Sequence, residues 1–254
     1  MTKTTTGTCS MNAVPERFVH LVGQGVAAID TPALVVDLDA MERNLARLAD
    51  FCHARGLRLR PHAKMHKCAE IAQLQMAHGA VGVCVQKTDE ALALARAGVR
   101  DIYISNEVID PAKLARLAAG LRALPGLRLA IAVDSALGVE RLADALARAG
   151  FTQAGAIDVF IEIDVGHGRC GVAAGEPARA LAHDIAARPL LRLGGLQAYH
   201  GRAQHRRQPA ERQAAIAAAA DAVRHTRALI EADGIAVPLV TGAGTGTFVL
   251  EAAT

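Results

Sequence analysis

The chain has 254 residues, enough for one large α/β domain or two small ones. Hydrophobic residues make up 52%, charged residues 21% and the formal net charge is +3, a composition that supports a sizeable core and excludes wholesale disorder. Aromatic residues are only 3% and Trp is absent, which argues against a nucleic-acid surface built on stacking, and no apolar run of about 18 residues predicts a membrane span.

Positions Met1 to Arg17 are polar and Thr-rich without an apolar stretch, so no secretory leader is expected and residues 1–29 read as a flexible arm. A strand-like run, Pro32–Leu38, comes next. Asp39 with Glu42 reads as a capping box, and Met41, Leu45 and Leu48 share one face of a helix that Gly56 stops. Short apolar runs then alternate with Ala/Leu/Arg-rich helical stretches. The predicted strands are Arg58–Pro61, Val81–Val85, Asp101–Ser105, Leu127–Asp134, Asp158–Asp164, Leu193–His200 and Val237–Gly242. Most are near-continuously hydrophobic, as strands buried on both faces of a parallel sheet must be. Between them, Thr88, Asp110 followed by Pro111, and Ser135 read as helix N-caps, with Gly98, Gly120 and Gly150 as stops.

A β-α order repeated about seven times builds either an open doubly wound sheet or a closed (β/α)8 barrel. The barrel is favoured, because chemistry-bearing residues follow nearly every strand, as at the C-terminal rim of a TIM barrel. Seven barrel strands would leave two open edges. The expectation is therefore an incomplete barrel, with the chain a fragment or a further C-terminal segment supplying the eighth strand. Five Cys (Cys9, Cys52, Cys68, Cys84, Cys170) form no C-x-x-C pair and match a reducing, cytoplasmic setting.

Four rim motifs carry chemistry. Arg60-Pro61-His62-Ala63-Lys64-Met65-His66-Lys67 puts Lys64 after the first barrel strand, where a partly desolvated Lys beside other cations can form a Schiff base; a basic surface turn fits as well. Glu162-Ile163-Asp164-Val165-Gly166-His167-Gly168-Arg169 ends a buried strand with an Arg suited to an oxyanion or phenolate, or simply paired with Asp164 or Glu162. Tyr199-His200-Gly201, with Gln204-His205 beyond, offers a general base or a packed rim histidine. Thr241-Gly242-Ala243-Gly244-Thr245-Gly246-Thr247 follows the seventh strand, where such barrels hold phosphate. The ten His form no spaced zinc motif, so no metal ligand is assigned within the chain. A Schiff-base Lys, an Arg, a Tyr/His pair and a phosphate cradle together describe a pyridoxal phosphate (PLP) pocket.

The stretches DTPALVVDLDAMERN, RPHAKMHK, GVCVQKTDEA, YISNEVIDPAK, EIDVGHGRCGV, GLQAYHGRAQH and GAGTGT, from about Asp30 onward, resemble the fold-type III PLP enzymes of alanine racemase type. More narrowly they resemble the D-threonine aldolase / D-serine dehydratase-like family, and within it the 3-hydroxy-D-aspartate aldolases. The resemblance implies that Lys64 holds the cofactor as an imine, that Arg169 contacts its phenolic oxygen and that Tyr199 lies near the ring nitrogen. It implies phosphate contacts from Gly242, Gly244, Thr245, Gly246 and Thr247, and a base on the substrate hydroxyl, His205, with His200 the alternative. It also implies a C-terminal β domain, to which Pro32–Leu38 would contribute a strand, carrying ligands for a divalent metal (manganese, magnesium or similar) beyond residue 254. The implied reaction is cleavage of a β-hydroxy-D-amino acid to glycine and an aldehyde. Rival readings are dehydration of D-serine or D-threo-3-hydroxyaspartate, and a non-catalytic PLP carrier. The implied partners are a small D-amino acid substrate and either a second copy in a homodimer or, in a monomer, the chain's own second domain, with neither nucleic acid nor membrane.

Overall fold

The computed structural model describes residues 16–254, so positions 1–15 of the expected arm lie outside the described residues. The chain divides into two compact units, 1–44 and 45–254. In the first, Glu16–Leu21 and Val26–Ala28 form short 3-10 turns. Positions 33–37 form no strand, and no strand among the described residues pairs with them. A single extended run without a partner has no ladder to join. Helix α1 (Leu38–His53) begins there, and its cap is Asp37 rather than Asp39: Asp37 Oδ1 accepts from the Ala40 amide at 2.8 Å.

The second unit holds the remaining elements, in the order α2 (Ala69–Ala77), β1 (Val83–Val85), α3 (Thr88–Arg96), β2 (Asp101–Glu107), α4 (Pro111–Ala123), β3 (Arg128–Val133), α5 (Ala136–Arg148), β4 (Ile157–Asp164), β5 (Val172–Ala173), α6 (Glu176–Ala186), β6 (Leu191–Gln197), α7 (Pro209–Ala232), β7 (Val240–Thr241) and α8 (Phe248–Glu251). The Asp110 and Ser135 caps are as expected, with side chains accepting from the amides of Lys113 at 2.8 Å and Gly138 at 3.2 Å. Thr88 is the first helical residue instead of the cap. Glu90 caps by reaching back to the amides of Gln86 (3.0 Å) and Lys87 (3.2 Å). Gly120 does not stop α4 but sits inside it, where a Cβ would run into the Leu92 side chain of α3.

All strand pairs are parallel, and the sheet order is β1-β2-β3-β4-β6-β7, with β5 a side branch on β4. This order follows the sequence without reversal, whereas a doubly wound sheet reverses at a switch point. The predicted first strand adds to the β1 edge as an irregular extended segment. The amides of Val81 and Cys84 donate to the carbonyls of Leu59 (2.9 Å) and Pro61 (2.8 Å), and His62 bridges Cys84. Seven barrel strands are thereby present among the described residues, in a singly wound α/β arrangement, an incomplete barrel as expected.

Two cores result. The larger lies between sheet and helices and includes Ile102, Ile131, Ile161, Leu114, Leu146 and Ile185. The smaller lies on the opposite strand faces and consists of Cys84, Tyr103, Ala132 and Phe160. Side chains alternate along a strand, so the residues two places beyond these face the same interior, nearer the C-terminal end. There the sequence turns polar, with Gln86, Ser105, Asp134 and Glu162. A register shift after Ile104 pairs Glu107 with Ala132, and another between Val159 and Phe160 pairs Gln197 with Glu162. Both irregularities re-aim polar side chains into the same end of the sheet.

Candidate functional site

The lysine turn is built first by its neighbours. Arg60 pairs with Asp101 at 2.7 Å and ties the segment to β2. His62 Nδ1 accepts from the Lys64 amide at 3.3 Å, and its Nε2 lies 3.3 Å from Ser105 Oγ. An accepting Nδ1 assigns the proton to Nε2, which then donates to Ser105. Burial, reinforced by the Lys64 cation, holds His62 down to about 4, so the ring is neutral near pH 7. Lys64 itself stands exposed in the turn after the bridge, not desolvated as the sequence suggested, because the chain has left the sheet edge by then.

The arginine loop is pinned at both ends. Asp164 Oδ1 accepts from the amides of Gly166 (2.9 Å) and Gly168 (3.0 Å), and these bonds hold its carboxyl below the usual range. Asp134 Oδ2 accepts from the Gly171 amide at 3.1 Å. Gly171 has φ +101°, and a Cβ there would meet the Asp164 backbone nitrogen at 2.7 Å, so only glycine closes the loop. Of the two carboxylates open to Arg169 in the sequence reading, the structure pairs it with Glu162, at 3.3 Å. Its guanidinium also lies 5.8 Å from the Tyr199 ring centroid.

Tyr199 and the histidines follow β6. His167 packs at 5.6 Å from the Tyr199 ring, and its Nδ1 accepts from the Gly201 amide at 2.9 Å. His200 is buried, its Nδ1 has no partner among the described residues, and desolvation lowers its pKa. His205 is exposed at the end of the 3-10 turn Gly201–His205. Gln204 spans from this rim to the glycine loop: its Nε2 donates to the Tyr199 hydroxyl at 2.6 Å and its Oε1 accepts from the Gly246 amide at 3.1 Å.

In the glycine loop, Gly242 packs against the Ala198 carbonyl, where a Cβ would come within 2.8 Å. Ala243 sits at φ +70°, a left-handed turn of the sort that makes anion-binding nests. The amides of Gly244 and Gly246 bond within the protein, to Thr247 Oγ1 and Gln204, while those of Gly242, Ala243 and Thr245 donate to no protein group among the described residues. Thr247 is buried and uses its hydroxyl inside the loop, toward Gly244 and Glu251. Burial pushes Glu251 up to about 7, which limits negative charge beside the nest.

A profile of the alanine racemase N-terminal domain matches residues 36–254. The chain belongs to that family. It is 42% identical over 231 residues to a D-threonine aldolase from an Arthrobacter species, covering 91% of this chain and 59% of that protein. It is 41% identical to a 3-hydroxy-D-aspartate aldolase from Paracoccus denitrificans, covering 91% and 58%. The crystal structure of D-threonine aldolase from Filomicrobium marinum superposes with a TM-score of 0.85 at 45% identity, covering 90% of this chain and 60% of that one. The chain thus spans about three fifths of the length of these relatives.

The site of this alanine racemase-type sheet fits PLP. A primary amine, a guanidinium, a phenol and three unclaimed amides follow the C-terminal ends of parallel strands, which share one end of the sheet. Sequence reasoning missed the polar layer beneath. Glu162 accepts from Gln197, which accepts from Tyr103, a fully buried phenol whose pKa burial raises far above normal. Burial and the adjacent Glu107 push Glu162 up to about 8, and burial raises the Cys170 thiol. The signal was available in period-two alternation, since Tyr103 and Glu107 share a strand, as do Phe160 and Glu162, but the bulges that aim them leave no mark in composition. Glu107, Glu162 and Cys170 also form a group of ligand-type atoms within 4.8 Å of one another. Arg169 and Gln197 already occupy both oxygens of Glu162.

Proposed function

We propose that this chain is the cofactor-bearing part of a PLP-dependent lyase. The reaction is cleavage of the Cα–Cβ bond of a β-hydroxy-D-amino acid, 3-hydroxy-D-aspartate or D-threonine, to glycine and an aldehyde. The observation that carries this reading is that Lys64, Arg169, Tyr199 and the amide nest all follow C-terminal strand ends of one parallel sheet, in a chain 41–42% identical to two aldolases with these substrates in their names. Lys64 would attach the cofactor, Arg169 its phenolic oxygen and Tyr199 its ring nitrogen. Gly242, Gly244, Thr245, Gly246 and Thr247 form the phosphate loop, and the free amides of Gly242, Ala243 and Thr245 supply its donors. PLP, when bound, supplies the electron sink for the pair of electrons left at Cα.

The chain's own part is to hold the substrate and move one proton. His205 would take the β-hydroxyl proton; its exposure leaves it open to solvent-borne substrate. His200, neutral and with an unpartnered Nδ1, is the alternative acceptor. The same reading includes a divalent metal with ligands outside residues 1–254, a homodimer and a cytoplasmic location. No helix among the described residues is long and apolar enough to cross a membrane.

The test is product analysis with PLP and manganese present. Glycine plus glyoxylate from 3-hydroxy-D-aspartate, or glycine plus acetaldehyde from D-threonine, supports the reading. Ammonia plus a keto acid instead supports dehydration. PLP binding without turnover of any β-hydroxy-D-amino acid by the full-length enzyme supports a carrier.

A further inference from the structure

Two acidic side chains lie behind the mouth and have no part in the reaction described above. Glu162 on β4 is 4% exposed. Its Oε1 accepts from Arg169 at 3.3 Å and its Oε2 from Gln197, whose own oxygen accepts from Tyr103. Glu107 arrives from the bulged end of β2, side by side with Glu162 and Cys170, and its buried Oε1 meets the hydrogen-bond geometry with no group among the described residues. The two carboxylates and the Cys170 thiol lie within 4.8 Å of one another.

The charge count is unbalanced. Arg169, 44% exposed, is the one cation in hydrogen-bond contact with the pair among the described residues. The other titratable groups that face it are neutral: Tyr103 from β2 and Cys170 from the loop after β4, both with raised pKa. Arg60 and the raised Cys84 thiol lie further along, near Tyr103. Two carboxylates this close, one buried and one part-buried, do not both ionise against a single half-exposed guanidinium. The two carboxyls therefore keep one proton between them, in line with the upward push that burial and Glu107 exert on Glu162.

We propose that Glu107 and Glu162 hold one proton between them, and that Glu162 is the positioning residue that holds Arg169 at the mouth. Its meaning for a bound cofactor rests on the PLP reading above; the proton and the arginine contact do not. A divalent cation on the same three residues would first have to displace Arg169 and Gln197 from Glu162.

Urea unfolding of the protein without cofactor, from pH 5 to 9, tests the proton. A folded pair that keeps one proton the unfolded chain releases loses stability as pH rises, by up to about tenfold in the unfolding constant per pH unit. Glu107→Gln leaves a neutral amide beside Glu162 in place of the second carboxyl, so that component of the slope disappears, and a carboxylic acid C=O band in the infrared spectrum at pH 7 disappears with it. Reaction of Arg169 with phenylglyoxal, mapped by peptide mass, tests the contact: it is several-fold faster in Glu162→Gln and unchanged in Glu107→Gln. An unaltered slope in Glu107→Gln, equal Arg169 reactivity in both variants, or a slope that a chelator abolishes would each overturn the proposal. The infrared and slope measurements on wild type and Glu107→Gln decide the proton even where Glu162→Gln does not fold. Failure to bind PLP with these results intact would count against the lyase reading and leave the pair standing.

Discussion

Single side chains decide how the mouth is held open. Lys64→Ala removes the one amine of the RPHAK turn proposed to attach the cofactor. The expected result is loss of the visible absorbance and of the borohydride-fixed mass increment with PLP, with the far-ultraviolet circular dichroism unchanged, since Lys64 is exposed. Asp164 is different, because its oxygen accepts two loop amides and its pKa lies below the unfolded value as a result. A depressed carboxylate stabilises the fold above its unfolded pKa and loses that contribution as pH falls through the folded value. Asp164→Ala is therefore expected to cost about 1–2 kcal/mol near neutral pH. In urea titrations the gap to wild type should close below about pH 3 to 4. A gap that stayed constant down to the acid limit would mean that the loop is held by packing and not by charge.

At the scale of elements, legibility followed the strength of local signals. The Asp110-Pro111 and Ser135 starts could be read directly, because a short acceptor side chain ahead of a helix has few other uses. Thr88 misled because the cap works backwards from Glu90, and Gly120 because its absent side chain makes room for Leu92, a long-range reason. Asp110→Ala is expected to lower stability by about 1 kcal/mol in chemical denaturation. Gly195 gives a harsher case. It has φ +144°, and a Cβ would lie 1.8 Å from the Leu239 carbonyl oxygen, where β6 meets the approach to β7. Gly195→Ala should push the two segments apart and cost more than about 3 kcal/mol, seen as a lowered unfolding midpoint and lost amide protection at Leu196 and Ala198.

For the second unit taken whole, the strand order was legible because near-continuous apolar runs between helices imply parallel pairing, and rim motifs after each run imply a singly wound order. The first-strand segment 58–61 was placed correctly but joins through scattered bonds and one bridge, its regularity interrupted by Pro61. The Lys64, Arg169, Tyr199 and glycine-loop positions were all visible in the sequence, each as a strand-end motif. The carboxylate layer was not, since burial and proximity between β2 and β4 arise only on folding. Binding at this end links to global stability. PLP at a hundredfold excess over its dissociation constant should raise the unfolding free energy of wild type by about 2.7 kcal/mol. The Lys64→Ala protein should gain less, and an equal gain would place the tight contact elsewhere.

Gln204 touches the Tyr199 phenol with one end of its amide and the Gly246 backbone with the other. For the ligand proposed here, those are the jaws that grip the ring and the tail, so one side chain sets their opening like the screw of a caliper. A vitamer shortened by removal of its phosphate would fill one jaw only, and discrimination against it should vanish when Gln204 is replaced by leucine.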